Sequence, residues 1–137
     1  MAKNIIGIFS IVVIFFSCTK NKTDKNNNDF VEIYLLKKNI DYPIAINCNS
    51  IHDEAFKEIR TYKIISNPDF VLKFKELTSS LKNSQDNFQI DARVQIITHF
   101  ENNLDTICIS KTKRVSINSK NKMNSEKFVE FIFKQVY

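Results

Sequence analysis

Asp91-Ala-Arg-Val-Gln-Ile-Ile-Thr-His-Phe100, then Glu101-Asn102-Asn103, then Leu104-Asp-Thr-Ile-Cys-Ile-Ser110 is the stretch around which the rest of the chain can be ordered. Both arms are rich in β-branched and aromatic residues and contain neither proline nor glycine, so each reads as a strand. Three polar residues between them read as a tight hairpin. Such turns need φ > 0 at central positions, where glycine is the usual choice; Asn102 and Asn103 are the next most tolerant residues. A hairpin alone is marginal in water, so it needs further strands beside it and an apolar layer on at least one face.

Toward the C-terminus, Arg114–Asn118 reads as a third strand with Val115 and Ile117 on one face. Residues 118–124 read as polar loop. Asn124 or Ser125 then caps a last helix, whose Phe128, Phe131, Ile132 and Val136 form an apolar stripe. Toward the N-terminus, Asn67 is a good N-cap, Pro68 suits the first helical position, and Asp69 complements the helix dipole. Phe70, Phe74, Leu77 and Leu81, with Val71 and Thr78 beside them, form one stripe that the polar run 83–87 ends. Arg60–Ser66 reads as a strand. His52–Ile59 is open between a short helix and irregular chain, and 39–49 reads as a loop able to hold a short strand at Ile44–Ile46. Phe30–Leu36 is apolar on both faces apart from Glu32, the pattern of an internal strand. The order is β-β-α-β-β-β-α. It implies an α+β fold, with an antiparallel-rich sheet of four to five strands and two helices packed on one face.

The 137 residues fit one domain, and twelve Phe and four Tyr supply much of its core. Lys and Arg outnumber Asp and Glu by 20 to 15, a mild excess that reads as a solvated surface compatible with anionic headgroups or an acidic partner. The sole glycine is Gly7. The chain beyond it cannot build a phosphate-cradling glycine loop or a dinucleotide fingerprint, and its positive-φ positions should fall to Asn or Asp. There is no Trp, and no basic-aromatic pattern of the kind that binds RNA, so nucleic acid is set aside as a partner.

His52-Asp53-Glu54 and His99-x-Glu101 are the clusters with metal-ligand residue types. Neither has a zinc-site spacing, so no metal or cofactor is assigned. No serine lies in a nucleophile motif, and neither Asp53/Glu54 nor Asp91/Glu101 can be given a catalytic separation from sequence. No catalytic residue is named. The basic run Lys111, Lys113 and Arg114, with Lys120 and Lys122, reads as a solvated strand and loop in preference to a patch facing lipid.

The chain begins with one positive charge, Lys3, before a twelve-residue apolar stretch, Ile5–Phe16. A spanning helix needs about 20 apolar residues. Twelve fits the core of an export signal. Phe15-Phe16-Ser17-Cys18 resembles the lipobox of bacterial lipoproteins, with Phe at −3 where Leu is commonest. The resemblance covers residues 1–18 only. It implies removal of 1–17 as a signal peptide, a diacylglyceryl thioether on Cys18, and usually an acyl group such as palmitate on the new amino terminus. Two or three acyl chains give stable anchoring. Thr19, in the place where Asp tends to retain lipoproteins in the inner membrane, implies the outer membrane, facing the periplasm, with the cell surface as the alternative. Residues 18–29 then form the lipidated cysteine and a flexible tether with a reach of roughly 18 Å. A single α+β domain follows at 30–137.

Export also places the remaining cysteines in an oxidising compartment. Cys48 and Cys108 either form one disulfide, tying the loop after the first strand to the hairpin, or sit as two buried thiols. The functional expectation is a membrane-anchored envelope lipoprotein that is not an enzyme. It would be a small protein- or ligand-binding or accessory module, with an envelope protein as a possible partner. The alternative is a small envelope hydrolase using His and carboxylate side chains. A pocket gathering His52 or His99 with carboxylates favours the hydrolase; an exposed apolar face without converging polar groups favours the binder.

Overall fold

A computed structural model describes residues 29–38, 40–101, 103–123 and 125–137. The stretch 1–17 read as a signal peptide, Cys18, and the expected tether as far as 28 lie outside the described residues. The fold is α+β with an antiparallel sheet, in the order β1 (Phe30–Leu36), β2 (Arg60–Ile65), α1 (Pro68–Ser79), β3 (Lys82–Asn83), β4 (Ala92–Phe100), β5 (Asn103–Ser110), β6 (Val115–Ile117), β7 (Lys120–Met123) and α2 (Glu126–Val136). The strands lie side by side as β2-β1-β4-β5-β6-β7-β3, and every neighbouring pair is antiparallel. The described residues thus hold seven strands, not four to five. The additional ones, β3 and β7, are short and polar, and pair with each other at one edge. Their residues are strand-forming only through this pairing and that of β7 with β6, which override weak local propensity.

The hairpin turn is tighter than its composition implies. Phe100 pairs directly with Asn103, so β5 begins at Asn103 and the positive φ falls on Glu101 (52°). Asn102 lies outside the described residues. Lys113, Asn118 and Ser119 also take positive φ, each in a short connection between strands. Left-handed geometry is therefore carried by Glu, Lys and Ser as well as Asn, because loop length dictates it in this glycine-free domain.

Alternation along the strands separates two faces. Ile33, Ile96 and Ile107 stand in register across β1, β4 and β5, and Val94 pairs with Ile109, which pairs with Val115. Both helices pack on this face, burying Phe70, Val71 and Phe74 from α1 and Phe128, Val129 and Ile132 from α2. The Phe74 ring meets Phe100 and Phe128 edge-on. Asn67 caps α1, its side-chain oxygen accepting from the Phe70 amide at 3.0 Å. Ser125 holds the cap position of α2, but its hydroxyl donates to the Lys113 carbonyl instead. Asn124 lies outside the described residues.

The opposite face is half covered. Residues 40–59 fold over it without a strand at Ile44–Ile46; 3-10 turns form at Cys48–Ser50 and Glu54–Ile59. Ile46 and Ile51 bury against Leu36, Ala92 and Cys108 in a smaller cluster. Asp29, read above as the last tether residue, belongs to the folded domain. It is only 6% exposed. One carboxylate oxygen accepts from Lys75 Nζ at 2.6 Å and the other from the Glu101 amide at 2.9 Å. The Lys75 hydrogen bond, aided by the Glu101 amide, holds its carboxyl below the usual carboxylate range against the opposing effect of burial.

Candidate functional site

The half-covered face carries a cleft of about 430 Å³. Small-molecule sites run from about 300 to 1,000 Å³. Thr106 and Cys108 of β5 and Ser116 of β6 form its floor. They alternate with the core residues Ile107, Ile109 and Val115, so the register that buries one set presents the other to the cleft. Asn47 and Asn49 of the 3-10 turn make one wall. Phe88, Gln89 and Ile90, from the segment entering β4, make another. Asn118 and Ser119 of the β6–β7 turn and Asn121 of β7 form the lip.

Several of these groups are fixed from behind. Cys48 and Cys108 are joined as a disulfide, their Cα atoms 5.8 Å apart, which clamps the 3-10 wall to β5. Asn121 Nδ2 donates to the carbonyls of Asp86 and Phe88, each at 3.0 Å, and holds the Phe88 wall to β7. Asn118 Oδ1 accepts from the Thr106 amide at 2.9 Å, while its Nδ2 donates to Asp105 at 2.7 Å. The Arg114 guanidinium lies 4.6 Å over the Phe88 ring and fixes its orientation. Ser116, on the floor, is only 5% exposed as a residue.

The lining among the described residues is thus amide, hydroxyl, disulfide and apolar carbon, with no ionisable side chain. A hydroxyl nucleophile needs an adjacent base, and this lining offers none. What it offers is paired donor and acceptor capacity beside an aromatic wall.

The histidines stand elsewhere and apart. His52 is exposed before the second 3-10 turn, its Nδ1 3.2 Å from Gln95 Oε1. His99 stacks on Phe30, with ring centroids 4.2 Å apart, and its Nε2 lies 3.6 Å from Glu32, beyond hydrogen-bond distance. Glu32 instead accepts from the Tyr34 hydroxyl at 3.4 Å. Partial burial, and then the Glu32 carboxylate, hold the Tyr34 and Tyr62 hydroxyls above the usual phenol range. Asp91 is bonded to Arg93 and to the Ile46 amide at one end of β4, while Glu101 sits at the turn beyond the other end, so the two carboxylates do not converge. Asp53 and Glu54 are exposed. Among the described residues, no group of three or more His, Cys, Asp or Glu could hold a metal. The basic run is dispersed: Lys111 donates to Asp41, Lys122 donates to Asn83, and Arg114 covers Phe88.

Sequence reading found Cys48 and Cys108 but missed the amides and hydroxyls around them. They come from five segments between Asn47 and Asn121, and no local spacing joins them. The one local signal was Asn118-Ser119, a polar pair able to take φ > 0 after a strand. No protein-family model, curated protein or solved structure matches the chain.

Proposed function

We propose that the chain is a lipid-anchored binding module of the bacterial cell envelope, holding a small polar molecule in the cleft over the disulfide without transforming it. The observation that carries this reading is the cleft lining, which pairs converging neutral donors and acceptors with no ionisable side chain. The lipobox-like Phe15-Phe16-Ser17-Cys18 supports an anchor at the outer membrane with the domain facing the periplasm. An oxidising compartment suits the joined Cys48 and Cys108. Among the described residues no helix is long and apolar enough to cross a membrane. Attachment in this reading rests on acyl chains at Cys18.

The test of the anchor is Cys18→Ala, followed by metabolic labelling with a fatty acid and by membrane fractionation. The expected result is loss of the labelled band and retention of the unprocessed chain. A labelled band of unchanged intensity overturns the anchor. The binding role is tested separately by the titration given below.

A further inference from the structure

We infer that the cleft over the Cys48–Cys108 disulfide is a site for a neutral pyranose sugar unit, such as a hexose or an N-acetylhexosamine of an envelope glycan. The inference rests on the binding-module reading and names the chemistry of its ligand. Charge decides first. Anionic ligands are held by Arg, Lys or clustered backbone N–H groups, and cations by carboxylates or aromatic cages; the lining provides neither charged type. A sugar hydroxyl both donates and accepts, which is the capacity of amides and hydroxyls such as Gln89, Asn49, Thr106 and Ser116.

The second observation is Ser116. It is only 5% exposed as a residue, so its side chain is held in place where it lines the cleft. Its hydroxyl can both donate to and accept from whatever fills the cleft. The third is the wall made by Phe88 and Ile90. A pyranose ring has an apolar face of C–H groups, and an aromatic ring held rigid beside polar groups is complementary to it. Arg114 and Asn121 hold that wall before any ligand arrives, and the disulfide holds the one opposite. Such preorganisation lowers the entropy lost on binding.

The test uses the full chain in a zwitterionic detergent free of sugar, with side-chain amide and backbone resonances followed by NMR. Separate titrations add N-acetylglucosamine trimer, maltotriose, inorganic phosphate and a neutral tripeptide, each to about 10 mM, which detects millimolar dissociation constants. Either sugar should shift the Gln89, Asn49 and Asn121 side-chain amides. The trimer arm reads wall-type N-acetylhexosamine and the maltotriose arm plain hexose. Ser116→Ala, Gln89→Ala and Phe88→Leu should each weaken that sugar at least about fivefold, with thermal midpoints unchanged. Leu104→Ser, outside the cleft, should leave the affinity as it is. If phosphate or peptide shifts the cleft amides and the sugars do not, the sugar assignment is overturned while the binding module stands. Sugar binding that Ser116→Ala and Gln89→Ala leave unchanged also overturns the assignment. If none of the four compounds shifts a cleft amide, both readings fall.

Discussion

Ile33, Ile96 and Ile107 line up across three strands beneath Phe74, Phe128 and Ile132, and all six are essentially inaccessible. On the other side of the sheet, Tyr62 and Ile64 of β2 and Leu104 of β5 remain half exposed or more. What covers that side is held by particular links: the disulfide, Asp91 accepting from the Ile46 amide, and Arg60 donating to the carbonyls of Ile51 and Asp53. One face derives its stability from close-packed apolar area. The other is tied at a few points and leaves a polar cleft between them. The contrast teaches how a domain of this size divides labour, with the helix face specifying the fold and the tied face free to carry a site.

The sharpest test of that division is Phe74→Ala. The ring is fully buried and touches Phe70, Phe100 and Phe128, so its loss removes both transferred area and packing contacts. The expected cost is about 3–5 kcal/mol. Urea denaturation followed by far-UV circular dichroism would read it as a fall in midpoint at unchanged slope. A cost under about 1 kcal/mol would mean that the helix face is not the main source of stability.

Reduction of the disulfide tests the tied face. Cys48 and Cys108 are 60 residues apart; closing a loop of that length stabilises by about 4 kcal/mol in the chain-entropy view, and disulfides typically contribute about 2–4 kcal/mol. With reductant, or in Cys48→Ser with Cys108→Ala, the denaturation midpoint should fall by that amount. The amides of 47–51 should lose hydrogen-exchange protection before those of α1 and α2. Uniform loss across both faces would break the comparison. Thiol titration of the denatured chain, with and without reductant, counts the bond directly.

How far the sequence revealed these two faces differs in the same way. The helix face was legible because apolar residues at periods of 2 and 3.6 mark the sides that must be buried: Val94, Ile96, Ile107, Ile109 and Val115 in the strands, Phe70, Phe74, Phe128 and Ile132 in the helices. Asn67-Pro68-Asp69 likewise announced α1 one residue ahead of its start. The tied face was not legible beyond its cysteines. Lys120–Met123 pairs as a strand although Lys, Asn and Lys favour no strand on their own, and the cleft joins Asn47, Gln89 and Ser116 only through the tertiary fold. Asp29 was misplaced because a carboxylate in a polar run looks solvated until Lys75 and the Glu101 amide arrive from distant elements.

Asp29 pins the beginning of β1 to the tip of the β4–β5 hairpin, so its effect should be smaller and should depend on pH. Its carboxyl titrates below the ordinary value of 3.8 when folded. A lowered folded-state value means that the contribution is full above the unfolded value and is lost as pH falls through the folded one. Asp29→Asn should therefore cost about 1 kcal/mol near neutral pH, and the gap from the unsubstituted protein should narrow in urea melts as the pH is lowered past 3.8. A gap independent of pH would assign the effect to packing instead of the Lys75 and Glu101 bonds.

The smallest expected effect falls on the open face itself. Leu104 is 67% exposed at the start of β5, paired with His99, and lies away from both apolar clusters. A substitution at so exposed a position usually changes stability by no more than about 0.5 kcal/mol. Leu104→Ser should therefore leave the denaturation midpoint where it is, beside a loss roughly tenfold larger for Phe74→Ala. This near-zero value is informative because it has a definite alternative. If Leu104→Ser costs more than about 1 kcal/mol, then this side chain is buried in solution and something covers the sheet where the domain leaves it open. The comparison would then no longer be between a packed face and a free one, but between two packed faces.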